Sequence, residues 1–456
     1  HRPHARGPGR TPPALIVRSV HIRRCVVAAV TAATLACDSP RNAERPSDSA
    51  SLARDSVRVG GSAAAGSLSA PDTQHQTPRA AAPNLSAQPP APLVPTPDTI
   101  RGLYVNRWAA IGSSMWRLID VAKETEINAL VIDVKDDRGL MLYHTDVALA
   151  REIGADTTHP MSHSRLRAVL DTMRAHDIYP IARIVVAKDP LLAATRPQWA
   201  IHRRDDSAKV WLDRDSTPWL DPTHEEIWTY AADISAEAAR LGFSELQFDY
   251  VRFPDDDRVI REGLYARSEG RTRAQVIRDQ LGLLRGLVKP LGVPMTIDVF
   301  GLTATDSTDM GIGQRWEMFI DRADVVLPMV YPSHFARGTY GLANPNANPY
   351  ETIGRALEDV KRRTQGIAGA ASIIPWYQDF TMGRPRYGPE QVRAQIQSGY
   401  DSGFYSWILW NPASRYTVEA LRHDSVSAPT DTVPRDTVIR LIRSIRSNSD
   451  QSFVTP

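Results

Sequence analysis

Between residues 101 and 423 the chain carries eight short runs of strand-forming residues, separated by longer segments patterned for amphipathic helices. The runs are Gly102–Asn106, Ala129–Lys135, Tyr179–Ala187, Glu245–Phe253, Pro294–Phe300, Val325–Tyr331, Ser372–Tyr377 and Gly403–Leu409. The helical segments are Met115–Glu126, Ser164–His176, Glu225–Leu241, Thr272–Leu291, Ile312–Arg322, Tyr350–Arg363 and Pro389–Ser402. Near-continuous apolar strands that alternate with helices are covered on both faces, which requires a parallel sheet. Eight such units over roughly 320 residues fit a (β/α)8 barrel, an α/β fold usually built from about 250. A doubly wound open sheet is the competing architecture. No glycine-rich phosphate turn follows an early strand, which argues against a dinucleotide-binding sheet.

The flanks differ in composition. Residues 1–37 carry a basic start, a short apolar run from Val26 to Ala36 and then Cys37. That run is too short to span a bilayer as a helix, but the pattern fits an export signal. Thr34-Leu35-Ala36-Cys37 is similar to a bacterial lipobox with Leu displaced by one place, so Cys37 is a candidate for lipidation and a membrane tether. Residues 38–100 are rich in Ser, Ala and Pro and hold too little apolar surface to fold, which predicts a flexible linker. Residues 424–456 read as a flexible tail. The expected location is therefore outside the cytoplasm, on the cell envelope or beyond it.

All ten Trp lie from Trp108 onward, and both cysteines, Cys25 and Cys37, precede the barrel. The barrel therefore holds no disulfide and no cysteine metal site. A net charge of +2 gives no field pointing to nucleic acid. No Gly-x-Ser-x-Gly elbow or phosphate loop is present.

Function in a barrel belongs at the C-terminal strand ends. There the chain places Arg107, then Asp133 and Lys135, Arg183, Asp249 and Arg252, Asp298, Tyr331 and His334, Trp376 and Asp379, and finally Trp410. Carboxylates and aromatics on one rim suit a carbohydrate cleft, where ring faces take apolar sugar faces and carboxyls do acid–base work. Asp249, inside the apolar run Gln247-Phe248-Asp249-Tyr250-Val251-Arg252-Phe253-Pro254, is the leading catalytic candidate. Alternation along a strand sends Arg252 to the opposite face, so Asp249 needs a partner from another strand, with Arg183 open as an ion pair. Asp298 on the next strand is the expected acid/base, since two neighbouring carboxyls push their pKa values apart. A separation near 5 Å between such carboxyls goes with retention and roughly 6.5–9.5 Å with inversion. The remaining rim residues are expected to bind substrate. A divalent ion held by Asp133, Asp249, Asp298 and His334 is the metal alternative. Without a His-x-His or His-Glu-x-x-His spacing no metal or other cofactor is called for.

Gly102-Leu103-Tyr104-Val105-Asn106, Val131-Ile132-Asp133-Val134-Lys135-Asp136, the stretch around Asp249, and Val326-Leu327-Pro328-Met329-Val330-Tyr331-Pro332 resemble a bacterial glycosyl-hydrolase domain family first catalogued as a domain of unknown function. The resemblance covers about 101–420 and implies a barrel related to glycoside hydrolases, with Asp249 as catalytic carboxylate and Asp133 and Asp298 on the rim. The expectation is a retaining glycosidase acting on a cell-envelope or extracellular polysaccharide. A catalytically silent carbohydrate-binding barrel and a metal-dependent glycan deacylase or amidase are its rivals.

Overall fold

A computed structural model describes residues 94–422. The export-signal segment, most of the linker and the tail lie outside the described residues.

Eight parallel strands close into a barrel: β1 Arg101–Val105, β2 Ala129–Lys135, β3 Tyr179–Val185, β4 Glu245–Asp249, β5 Met295–Phe300, β6 Val325–Met329, β7 Trp376–Gln378 and β8 Trp407–Trp410. They neighbour one another in chain order, and β8 returns to β1 through Gly102↔Ile408. The seam between β6 and β7 is thin. Trp376↔Met329 joins it, and Ser372–Ile373 pairs separately with the start of β6. Ser372–Tyr377, expected as one strand, is broken because Pro375 has no N–H to give the ladder; its carbonyl still accepts from Ile408 N at 3.0 Å.

The outer layer holds α1 Ser114–Glu124, α2 His163–Ala175, α3 Glu225–Leu241, α4 Arg273–Val288, α5 Trp316–Phe319, α6 Pro349–Thr364 and α7 Pro389–Asp401. Their limits follow local chemistry. Thr272 and Gln275 form a capping box at the start of α4, and Gly242 at φ 110° closes α3. The expected helix over Ile312–Arg322 shrinks to the single turn of α5.

Alternation sorts the side chains. Leu130, Ile132, Ile184, Phe248 and Ile297 face the helices. Val131, Tyr179, Ile181, Leu327, Ile374 and Ile408 face the barrel axis and fill its lower half. The same parity points Asp133, Arg183, Gln247, Asp249 and Asp298 inward in the upper half. Residues 94–100, grouped with the linker on composition, pack across the floor. Val94 and Ile100 are buried in the interior cluster, and Val94 N donates to Ser244 Oγ at 3.3 Å.

The barrel exceeds the usual size because of an excursion between β3 and α3. Its strand His202–Arg203 pairs antiparallel with Gly263–Leu264 beyond β4. The two loops enclose a satellite core of Ala187, Ile201, Trp211, Trp219 and Val259 beside the cleft.

Ile100→Ala is expected to lower unfolding stability by about 2–4 kcal/mol, read from the urea midpoint at unchanged slope. An unchanged midpoint would show that the floor does not depend on this residue.

Candidate active site

The upper half of the barrel is organised around one guanidinium. Arg183 Nη1 donates to Asp133 Oδ1 at 2.5 Å, Nη2 to Asp249 Oδ2, and Nε lies 3.6 Å from Asp298 Oδ2. Burial works against its charge, but the Asp133 and Asp249 carboxylates outweigh that and hold its pKa above the ordinary arginine value. Tyr104 lies under the guanidinium, 5.3 Å from ring centroid to Cζ, and its hydroxyl donates to Asp133 Oδ2 at 2.6 Å. Burial raises the Asp133 carboxyl to about 6 despite these partners. Asp298 accepts from Gln247 Nε2 at 3.0 Å on both oxygens. Burial, and then the neighbouring Asp249 charge, push its carboxyl well above the usual range. Burial and the Asp249 charge thus both favour the neutral form of Asp298, beside the carboxylate expected to act.

Asp249 is the last residue of β4, four residues earlier than the expected strand end. Tyr250 then takes φ 54°, a conformation a bulky residue adopts only when its surroundings enforce it. Its N–H turns back to donate to Asp249 Oδ1 at 2.5 Å. Because the strand stops there, alternation no longer applies at Arg252. It does not point to the opposite face, and Asp249 and Arg252 line the same cleft.

That cleft encloses about 820 Å3 including its open mouth. Its walls are Arg183, Asp249, Tyr250 and Arg252 on one side and Met329, Tyr331, His334, Phe335, Trp376 and Trp410 on the other, with Phe300, Gly301 and Leu302 between. Gly301 is required for close approach, since a Cβ there would collide with the Met329 carbonyl. Tyr331 stacks on Trp410 at 5.1 Å and 17°, and Phe380 braces Trp410 edge-on at 5.0 Å. Burial lowers His334 to about 4, so it is a neutral imidazole near pH 7. Trp376 is buried and its indole N–H has no acceptor.

Asp249, Arg183, Arg252, Tyr331, His334, Trp376 and Trp410 therefore meet in one cleft, with Asp133 and Asp298 just beneath it. Asp298 is 1% exposed and does not itself line the cavity. Three rim expectations are placed elsewhere. Arg107 is buried with Nε on the Met141 carbonyl at 2.8 Å and Nη2 on the Thr158 carbonyl. Lys135 is buried against Asp189 at 2.7 Å and the Val185 carbonyl at 2.7 Å. Asp379 accepts from the Thr417 N–H at 2.8 Å and hydroxyl at 2.7 Å and so ties the chain's return across the barrel. These are structural uses of buried polar groups. Sequence reasoning missed Tyr104, Gln247, Tyr250 and Phe300. Tyr104 and Gln247 carry a signal in their inward parity beside the charged positions. Among the described residues no group of three His, Cys, Asp or Glu side chains is placed to hold a metal ion. The three carboxylates that were candidates converge on Arg183 instead.

A closed parallel barrel with carboxyls at its C-terminal strand ends and aromatic walls is an architecture of the glycoside hydrolase type. Residues 102–416 match the family model described as "Putative glycosyl hydrolase domain", and the chain belongs to that family. A hypothetical protein from Ruminiclostridium thermocellum is 32% identical, over 43% of this chain and 97% of that one, with a TM-score of 0.39. The glycoside hydrolase domain of PgaB from Bordetella bronchiseptica shares the fold at TM-score 0.51 and 13% identity, over 72% of this chain and 99% of that one. An α-galactosidase from Thermus thermophilus is similar at TM-score 0.41 and 14% identity, over 70% of this chain and 59% of that one. No curated protein matches the chain.

Burial of Asp133 gives a stability prediction whose sign is fixed. Its folded pKa of about 6 lies above the unfolded value of about 3.9, so its contribution is fully present below the unfolded pKa and is lost as pH rises through the folded one. Asp133→Asn should remove this loss. Relative to the variant, the wild type is expected to weaken by up to about 3 kcal/mol between about pH 4 and 6, measured by urea unfolding across that range. Parallel pH curves for the two proteins would contradict the assignment.

Proposed function

We propose that this barrel hydrolyses a glycosidic bond in a polysaccharide, with Asp249 as the carboxylate that meets the substrate. The observation that carries the reading is one pairing: Asp249 faces the cleft, and Asp298, beneath it and beside the same guanidinium, is pushed toward its neutral form by burial and by Asp249. Glycoside cleavage needs two neighbouring carboxyls whose surroundings treat them differently, one able to give a proton and one able to act as carboxylate. Asp249 attacks the anomeric carbon and retains configuration; Asp298 protonates the leaving oxygen and later takes a proton from water. Family membership and the aromatic walls support a sugar ligand. Export through residues 1–37 and a tether at Cys37 belong to the same proposal, since they would put the barrel beside envelope or environmental glycan.

The shielding of Asp298 favours a second reading, in which it only positions Arg183 and the barrel binds glycan without cleaving it. A glycan deacylase that uses a metal at these carboxylates is less favoured, because Arg183, Tyr104 and Gln247 already donate to them and Arg183 answers their charge.

Wild type beside Asp249→Asn and Asp298→Asn, screened on a polysaccharide panel, separates these readings. Asp249→Asn is expected to lower kcat by at least about a thousandfold while leaving binding measurable. Asp298→Asn should cost roughly 10²–10⁴-fold on natural linkages. It should cost far less on an activated aryl glycoside, whose leaving group needs no proton, and the alkaline limb of the pH profile should vanish. Equal losses on both substrate types would make Asp298 a positioning residue. Glycan binding with no hydrolysis by the wild type would establish the silent barrel. The anomeric form of the first product, read by NMR, decides retention.

A further inference from the structure

Two guanidinium groups line the cleft, and the fold uses them differently. Arg183 is committed to three carboxyls. Arg252 is 5% exposed and lies over three rings, with its Cζ 5.3 Å from Trp219, 4.8 Å from Tyr250 and 4.6 Å from Phe300. Only Nη1 is engaged, with the Phe253 carbonyl at 3.1 Å and the partly exposed Asp255 carboxylate at 3.3 Å. Nε is buried without an acceptor. No hydrogen bond engages Nη2 among the described residues, and Arg252 lines the cleft. Nε and Nη2 form one edge of the planar group, the fork that matches two oxygens of a single anion.

A guanidinium taken out of water with one edge unanswered is costly to keep. The ring faces offset part of that cost and fix the plane of the group, and they also exclude water, which strengthens pairing with an incoming anion. Competing negative charge on the cleft is limited. Asp249 is answered by Arg183, and the Asp255 carboxylate sits at the far nitrogen. A single anion with two oxygens would answer both nitrogens of that edge and the charge at once.

We propose that Arg252 binds an anionic substituent of the glycan, a uronate carboxylate or a sulfate ester, and that the substrate is an acidic polysaccharide. This rests on the reading of the cleft as a glycan site and adds the substrate class.

Calorimetric binding at low salt tests it, with Asp249→Asn in the full chain to stop turnover. The probes are oligogalacturonate and oligoglucuronate, each beside its methyl ester, and a sulfated galactan oligosaccharide beside its desulfated form. The charged form should bind about ten- to a hundredfold more tightly than its neutral counterpart. Adding Arg252→Gln should abolish that preference, and Arg252→Lys should restore part of it. A preference for the sulfated probe with the same dependence on Arg252 supports the proposal and names sulfate as the source. Equal binding of charged and neutral forms, a preference that survives Arg252→Gln, or no binding of any probe would overturn it. Should Arg252→Gln fail to fold, the ester and desulfation comparisons decide alone. Anion-selective binding without hydrolysis by the wild type would sink the glycosidase reading and leave this one. Hydrolysis of neutral glycans with no charge preference would do the reverse.

Discussion

The contact between Arg183 and the carboxyls of Asp133, Asp249 and Asp298 is the constraint around which the upper barrel is built. Four ionisable groups withdrawn from water are tolerable only when each answers another. One guanidinium does this for three acids because its five donors lie in a fixed plane and reach three strands at once. Remove that plane and each acid must either take a proton or find water. Compare the lower half, where Val131, Ile181, Leu327 and Ile408 fill the same cylinder with apolar atoms and need no partners. The barrel is thus a hydrophobic plug carrying a charged cap, and the boundary between them falls within single strands, between Ile181 and Arg183 on β3.

Arg183 also serves its neighbours unequally. Its Nη1 and Nη2 serve Asp133 and Asp249 directly, while the Nε contact with Asp298 is longer at 3.6 Å. The weakest-served acid is also one that burial and Asp249 push well toward its neutral form. Gln247 fits that arrangement, because its amide N–H2 lies at 3.0 Å from both Asp298 oxygens and leaves its own carbonyl oxygen buried without a donor. A protonated Asp298 turned toward Gln247 would satisfy that oxygen.

The fold was largely legible in the chain because strand and helix periods differ and alternate eight times. Helix limits for α3, α6 and α7 lie within a residue or so of those that caps and prolines suggest. What misled was partly local backbone and partly tertiary. Pro375 splits a run that composition reads as one strand. Tyr250 leaves the β region inside a run that composition reads as continuous, so parity counted through it put Arg252 on the wrong side. Val94 and Ile100 sit in a Pro-rich stretch whose apolar residues are too sparse to signal burial, yet the open barrel floor takes them. Asp249 was legible for the opposite reason: a charge in an apolar strand has few explanations. The same logic misplaced Arg107, Lys135 and Asp379 on the cleft. Their partners, the Met141 carbonyl, Asp189 and Thr417, come from loops whose approach no local pattern encodes.

The turn at Tyr250 then links the charged cap to the cleft. A strand continued straight through Phe253 would carry Arg252 away from Asp249 and leave the mouth lined by one cation and its acids. The left-handed step instead folds the chain back, gives Asp249 its backbone donor, and lays Arg252 across the Trp219, Tyr250 and Phe300 rings. Trp219 is available there only because the long excursion after β3 is pinned to the loop after β4 by the strand pair at His202–Arg203. The extra length of this barrel and the strained residue at the end of β4 are therefore two parts of one construction. One supplies a ring wall, and the other turns a second guanidinium onto it, so that the cleft presents a carboxylate already answered and a cation still in need of a partner.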